Sequence, residues 1–295
     1  MIEQELSGFL GLPDELTRFQ SSRVVVVPVP FEATTSYGGG TKYGPDAIIE
    51  ASHQVEFFDE QLACEPCNMG IFTEDPIDVS GGFDTVARLL RQKAVDLVKA
   101  DKFALFLGGE HSITAPIVEG IFAQIPQLSV LHFDAHADLR DSYEGLTCSH
   151  ASVMRRVFEM GVPFCSVGIR SFSKEEYDLI NKHDLNIFYA HNIRSDCGWM
   201  DEVLNRLSDV VYITFDIDAV DISEVRATGT PEPGGLLWHE IITFLKKLAV
   251  SGKKVIAADL VELAPQDHDH TSSFYAARLA YKIVTYCTWQ HHKVT

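Results

Sequence analysis

Residues 129–138 read SVLHFDAHAD: a mostly apolar run from Ser129 to Phe133, then Asp134, His136 and Asp138 at alternate positions. A short β-branched and aromatic run of this kind is how a strand buried on both faces of a parallel sheet reads. The pattern repeats in both directions along the chain. Phe103 to Leu107 stops at Gly108, Gly109, Glu110 and His111, and Val210 to Phe215 stops at Asp216, Ile217 and Asp218. Arg23 to Val29, Phe164 to Ile169 and Lys254 to Ala258 are three further candidate strands.

Amphipathic stretches separate these runs. From Asp84 to Lys99, residues Val86, Leu89, Leu90, Ala94 and Leu97 recur at the spacing of one buried helical face, with Asp84 placed to cap the first turn. Ser112 to Phe122, Ser149 to Phe158, Ser173 to Asn181, Trp238 to Leu248 and Thr271 to Tyr286 read the same way. Strand, helix and strand in succession predict an α/β fold of three layers, with a central, mostly parallel sheet covered by helices on both faces. Ligands in such folds sit outside the carboxyl ends of the strands. The residues at which the apolar runs stop are therefore the site candidates.

The 295 residues are 46% hydrophobic and show no linker, internal repeat or shift in composition, which predicts a single domain over 1–295. An N-terminal segment of about residues 1–20 and a tail over about 288–295 are expected to be loosely attached. With 24 Lys and Arg against 42 Asp and Glu, the net charge of −18 disfavours nucleic acid and anionic membranes and favours a cationic ligand. The opening MIEQELSGFLGLPDEL has no signal pattern, and no run of about 18 apolar residues occurs. Six cysteines without framework spacing fit a reducing compartment, so a cytoplasmic location is expected.

Three strand ends deliver four carboxylates, Asp134, Asp138, Asp216 and Asp218, and two imidazoles, His111 and His136. Residues at i and i+2 of an extended segment point the same way, so Asp134 with His136, and Asp216 with Asp218, can each address one point. Asp138 requires the chain to turn after its strand. Either motif alone more often caps a helix or sits in a solvated loop. Buried together, four carboxylates would cost several kcal/mol in repulsion and desolvation unless cations offset them. Two divalent ions balance that charge and one does not. Oxygen-rich ligands with one nitrogen per ion favour Mn²⁺ over zinc, with cobalt, nickel and iron as alternatives. Water shared by two such ions is acidified enough to supply hydroxide near neutral pH.

Several other features carry less. Cys64 and Cys67 form a CxxC with no second half of a zinc site, and read as a surface loop with two thiols. His268 and His270 read as an exposed helix start, His132 as a hydrogen-bonded core histidine, and His291 and His292 as part of the tail. The glycines of SYGGGTKYGP lack the lysine of a phosphate-binding loop and read as a turn near the substrate.

The segments VPFEATTSYGGGTKYGPDAI, GGEHS, DAHAD, SHASVMRR, VGIRS, DID, TGTPEPGG and VEL occur in the order found in the arginases and agmatinases. From about Pro28 to Tyr286 the chain resembles this ureohydrolase family, and its agmatinases most. The resemblance implies an arginase-like sheet of eight parallel strands, two Mn²⁺ per subunit and assembly as a homo-oligomer, a trimer or hexamer. It also places His111, Asp134, His136, Asp138, Asp216 and Asp218 on the six metal ligands. His150, Glu262 and Asp138 become the candidate catalytic residues. By that resemblance Glu262 grips a guanidinium bidentately, and His150 lies beside the substrate, where it can pass a proton to the departing amine. Read alone, Glu262 would be a surface ion pair and His150 a polar residue in the first turn of a helix.

The activity implied is hydrolysis of a small cationic guanidino compound: agmatine and water giving putrescine and urea. Arginine, guanidinobutyrate, guanidinopropionate and formiminoglutamate are alternative substrates for the same chemistry. A silent, polyamine-binding relative is the alternative outside the enzyme class, and the intact ligand set counts against it. Ile222 and Arg226 stand where many relatives carry proline, and Thr214 where serine is frequent, which bears on the rim of the site rather than on its ligands. Arg140 could meet a carboxylate tail, but reads better as part of a structural or interface ion pair.

Overall fold

The computed structural model describes residues 7–288. Its strands are β1 (Val24–Val29), β2 (Ile71–Thr73), β3 (Phe103–Gly108), β4 (Leu128–Phe133), β5 (Phe164–Ile169), β6 (Asn186–Tyr189), β7 (Val210–Asp216) and β8 (Lys254–Val261). They form one sheet of eight in the order β2-β1-β3-β8-β7-β4-β5-β6, with every neighbouring pair parallel. The helices are α1 (Gly44–Ser52), α2 (Gly82–Lys99), α3 (Thr114–Phe122), α4 (Val153–Glu159), α5 (Lys174–His183), α6 (Ala190–Ile193), α7 (Trp199–Arg206), α8 (Trp238–Val250) and α9 (His270–Cys287).

Alternation along the strands explains the three layers. Val24 and Val26 enter the half of the core shared with α7, α8 and α9, whereas Val25, Val27 and Val29 enter the half shared with α2, α3 and α4. Strands β1, β3, β4 and β5 are buried at every position, which is why they read as continuous apolar runs. Phe133 of β4 stacks on Phe215 of β7 at 4.9 Å and meets Phe244 of α8 edge-on at 5.5 Å. Burial of each such ring contributes about 1.5–3 kcal/mol.

The differences from the sequence reading have physical causes. Strands β2 and β6 were not anticipated from local pattern; both lie at sheet edges, are three and four residues long, and are mostly half-buried, so neither presents an apolar run. Strand β8 runs on past Ala258 because Asp259, a charge that looked like a terminus, is buried among three hydroxyl donors. Helix α2 begins at Gly82, so Asp84 lies inside the first turn and does not cap it.

The N-terminal segment is anchored from its first described residues rather than loose. Phe9 and Leu10 are buried in the core, and the Leu10 amide donates to Ser52 Oγ at 2.7 Å. Of the expected tail only Thr288 is described, and it is buried; His291 and His292 lie outside the described residues. Cys67 is not on a surface loop: it is buried in the core, and its amide donates to the Tyr281 hydroxyl. His268 and His270 are exposed at the start of α9, where the Asp269 side chain caps by accepting from the Ser272 amide.

Candidate functional site

The four central strands, β3, β8, β7 and β4, end side by side. Phe133 of β4 is level with Phe215 of β7, and Asp216 is level with Val261 of β8. One residue beyond the Phe133 and Phe215 pair, Asp134 and Asp216 emerge together, Glu262 follows one step past Val261, and His111 follows β3 after Gly109. A side chain at Gly109 would place its first carbon 2.1 Å from the Phe31 carbonyl oxygen, so this close approach requires glycine.

All six candidate ligands come together, in two nests. His111 Nδ1 lies 3.3 Å from Asp134 Oδ2, 3.1 Å from Asp138 Oδ2 and 3.4 Å from Asp216 Oδ2. His136 Nδ1 lies 2.9 Å from Asp218 Oδ2 and 3.5 Å from Asp134 Oδ1. Asp134 thus offers one oxygen to each nest. In the first nest the donor atoms of His111, His132, Asp134 and Asp138, and in the second those of Asp134, His136 and Asp218, lie within 4.8 Å of one another, close enough to hold a metal ion.

Backbone amides aim the carboxylates. Asp134 Oδ1 accepts from the His136 amide at 2.6 Å, Asp216 Oδ1 from the Asp218 amide at 2.8 Å, and Asp218 Oδ1 from the Ala135 amide at 2.9 Å. Each carboxylate is tethered through Oδ1, and its Oδ2 remains for other partners. This corrects the extended-segment argument for Asp216 and Asp218. The chain leaves β7 through a 3₁₀ turn at Ile217–Ala219, and the Asp216 side chain caps that turn. Asp138 is reached by a left-handed backbone turn, with φ of 52°, a conformation aspartate tolerates better than most residues.

His111 supplies the clearest sign of what belongs in the first nest. Asp259 accepts from the hydroxyls of Thr114, Tyr212 and Thr214, so the Thr214 proton is committed and its oxygen accepts from His111 Nε2–H at 2.9 Å. Nδ1 is then the lone-pair nitrogen. It is buried, it has no hydrogen-bond partner in line, and it sits among three carboxylate oxygens. A metal ion satisfies that arrangement, as does a proton that turns the ring into an imidazolium. His132 stands behind the cluster, as the sequence suggested. Its Nδ1 is paired with Ser166 Oγ at 2.9 Å and its Nε2 with Asp134 Oδ2 at 2.8 Å, so it orients that carboxylate.

The charges strain against one another. Burial, and then repulsion from Asp218 and Asp134, push the Asp216 carboxyl well above its ordinary range; burial and Asp134 raise Asp138. Burial alone would lower both imidazoles, but the carboxylates override it. They lift His111 well above its usual value and His136 to about 12. Asp134 is held well below the carboxylate range because its contacts with His111, His132 and His136 outweigh burial. The centre demands positive charge, as protons or as metal.

A cavity of about 270 Å³ opens onto the cluster, small for a ligand pocket and suited to a short linear molecule. His111, His136, Asp138, Asp216, Asp218, His150 and Glu262 line it; Asp134 lies beneath, fully buried. Glu262 is 8% exposed, and burial pushes its carboxyl up to about 8. Its Oε1 accepts from the His111 amide at 2.6 Å, which leaves Oε2 and one lone pair of Oε1 for other donors. The residue holds a positive φ of 64°, a conformation that glutamate adopts at a cost of about 1–3 kcal/mol and that marks functional positions. His150 opens a short 3₁₀ turn, with Nδ1 3.1 Å from Thr34 Oγ1 and Nε2 3.2 Å from Ser36 Oγ.

Tyr37 and Gly38, from the glycine-rich segment, are also in the wall, as a turn near the substrate should be. Arg140 lines the cavity too, with Nε 3.9 Å from Glu176 Oε2 and its guanidinium over the Tyr143 ring at 5.5 Å. Thr34, Glu110, Arg170 and Asp259 contribute to the site and were missed. The signal at Asp259 was a lone charge inside an apolar run. Glu110 was visible only as the neighbour of His111. Arg170 donates to the carbonyls of Gly168, Asp218, Ala219, Glu232 and Pro233, tying the rim segment 228–235 to the sheet.

Sheet and cluster together define an α/β protein with a carboxylate-rich centre able to hold metal. The arginase family model matches residues 22–285. The N(1)-aminopropylagmatine ureohydrolase of Synechocystis sp. is 38% identical over 281 residues, 92% of each chain. The agmatinase of Bacillus cereus is 36% identical over 259 residues, covering 86% of this chain and 87% of that one. The crystal structure of the agmatine ureohydrolase of Thermoplasma volcanium superposes with a TM-score of 0.86 at 27% identity, covering 95% of this chain and 94% of that one. The chain belongs to the arginase family of ureohydrolases, enzymes that hydrolyse guanidino C–N bonds. Among the described residues no helix is long and apolar enough to cross a membrane.

Proposed function

We propose that this chain hydrolyses agmatine to putrescine and urea at a centre of two Mn²⁺ ions. One observation carries the reading: Asp134 presents a different oxygen to each of two imidazole-carboxylate nests beside one cavity. His111, Asp134, Asp138 and Asp216 hold one ion, and His136, Asp134 and Asp218 the other. With both His132 nitrogens paired, one imidazole per nest is left to bind an ion among carboxylates, which favours manganese over zinc. When bound, such a pair offsets the carboxylates and acidifies water enough to make it a nucleophile near neutral pH.

The chain's own residues do the rest. Glu262 binds the guanidinium through its free lone pairs, and the bidentate grip fixes a planar, weakly electrophilic carbon over the nests. His150 donates the proton without which the amine cannot leave. Arg140 is already engaged by Glu176 and Tyr143, which supports an uncharged or cationic substrate tail over a carboxylated one. A second reading, N(1)-aminopropylagmatine, keeps the chemistry and lengthens the tail; the name of the Synechocystis relative favours it.

The family match across 22–285 supports one domain, and the free cysteines support a cytoplasmic location. Assembly as a trimer or hexamer rests on the family resemblance. The test is urea release by the Mn²⁺-loaded protein from agmatine, N(1)-aminopropylagmatine, arginine and guanidinobutyrate. Agmatine is expected to give the highest kcat/KM, in the wild type and in Arg140→Ala. A higher value for the aminopropyl compound establishes the second reading, and preference for a carboxylated tail defeats both.

A further inference from the structure

Glu110 is fully buried and has no part in the reading above. Its Oε2 accepts from the amides of Ala33 and Thr34, each at 2.6 Å, and its Oε1 from the hydroxyls of Thr34 and Ser112, each at 2.6 Å. Two amides and two hydroxyls surround the group, and as a carboxylate it only receives their hydrogen bonds. The single Thr34 hydroxyl proton is thereby committed to Glu110.

Thr34 Oγ1 can then only accept from its other neighbours. Those neighbours both belong to His150: the backbone amide at 3.2 Å and ring Nδ1 at 3.1 Å. A hydroxyl oxygen with its proton spent has two lone pairs, and these two contacts fill both. Nδ1 must therefore carry hydrogen. In the neutral ring Nε2 is left as the lone-pair nitrogen, with Ser36 Oγ, 3.2 Å away, as its donor. The three segments that meet here are 76 and 116 residues apart in sequence, so the contact is made by the fold and not by local pattern.

We infer that Glu110 and Thr34 are positioning residues that fix the tautomer of His150, with hydrogen on Nδ1 and the exchangeable site at Nε2. This rests on the proposed role of His150 for its catalytic meaning but not for its geometry. Nε2 takes a proton from solvent and passes it to the departing amine. The Nδ1–H, Thr34 and Glu110 chain keeps the ring from turning and offsets the charge of the imidazolium between the two events.

The test is the ring tautomer, read from long-range ¹H–¹⁵N correlation spectra of the full chain at alkaline pH, with the His150 signals assigned by their loss in His150→Gln. The wild type is expected to show Nδ1–H. Thr34→Ser should retain it. Thr34→Val should populate Nε2–H and lower kcat by about 10- to 100-fold with little change in KM, the usual cost of an outer partner; unchanged spectra for the other histidines establish that it folds. An Nε2–H wild type, or the same tautomer in Thr34→Val, overturns the inference. Wild-type turnover in His150→Gln defeats instead the reading of His150 as proton carrier, and the spectra still decide the tautomer.

Discussion

Asp216→Asn separates a metal ligand from a structural residue by the sign of its effect. The change is isosteric: Oδ1 can still accept from the Asp218 amide at 2.8 Å, and only the Oδ2 that faces His111 Nδ1 at 3.4 Å is exchanged for an amide nitrogen. In metal-free protein the substitution removes a carboxylate that burial and its neighbours Asp218 and Asp134 already disfavour, so stability should hold or rise. With metal the opposite follows. Removing one partner of a buried charge pair costs about 3–5 kcal/mol. At metal concentrations about 1,000 times the wild-type Kd, binding stabilises the wild type by about 4 kcal/mol. The weakened variant retains only about 0.1–1.2 kcal/mol of that gain. At about 2 °C per kcal/mol for a chain of this size, the Mn²⁺-dependent rise in Tm should shrink from about 8 °C to below about 3 °C. Thermal unfolding with and without Mn²⁺, paired with titration calorimetry, reads both arms. A variant that keeps the full metal-dependent rise, or loses stability chiefly when metal-free, refutes the reasoning.

Glu262→Gln should leave the number of bound metal ions unchanged and lower kcat/KM by about 10- to 150-fold, the loss of a charge-assisted bond of about 1.5–3 kcal/mol; steady-state urea release checks it. The metal-free protein should lose stability as pH rises. Glu262, raised from 4.5 to about 8, is penalised progressively across that interval, and the contribution of His136, raised from 6.5 to about 12, is complete below 6.5 and fades above it. Saturating Mn²⁺ should reverse the slope, because deprotonated ligands bind metal better; Tm measured from pH 6.5 to 8.5 in both states decides. Asp259→Asn disturbs the acceptor that commits Thr214 to receive from His111 Nε2, and should weaken Mn²⁺ binding by about 10- to 100-fold by calorimetry.

The central strands and the clustered carboxylates and imidazoles were legible because burial and chemistry leave separate marks on them. A strand enclosed on both faces must be apolar throughout, and the first polar residues after it fall at the sheet's carboxyl edge, where Asp134, Asp216 and His111 are found. Edge strands β2 and β6 escape that logic, since half-burial imposes no continuous run; only the family resemblance implied eight. Asp259 misled the reading because a charge inside a strand looks like an end until its three hydroxyl partners, drawn from α3 and β7, are in place. Asp218 reaches the cluster through a capped turn rather than an extended segment, so Asp216 and Asp218 meet by a geometry other than the expected one. The support around His150 was invisible locally, because Glu110, Thr34 and His150 meet only once the sheet has formed.

The most direct measurement is anomalous scattering at the manganese edge from crystals grown with Mn²⁺. Two peaks should appear, one beside His111 Nδ1 and one beside His136 Nδ1, with Asp134 contributing an oxygen to each. A single peak, or peaks away from Asp134, would contradict the account.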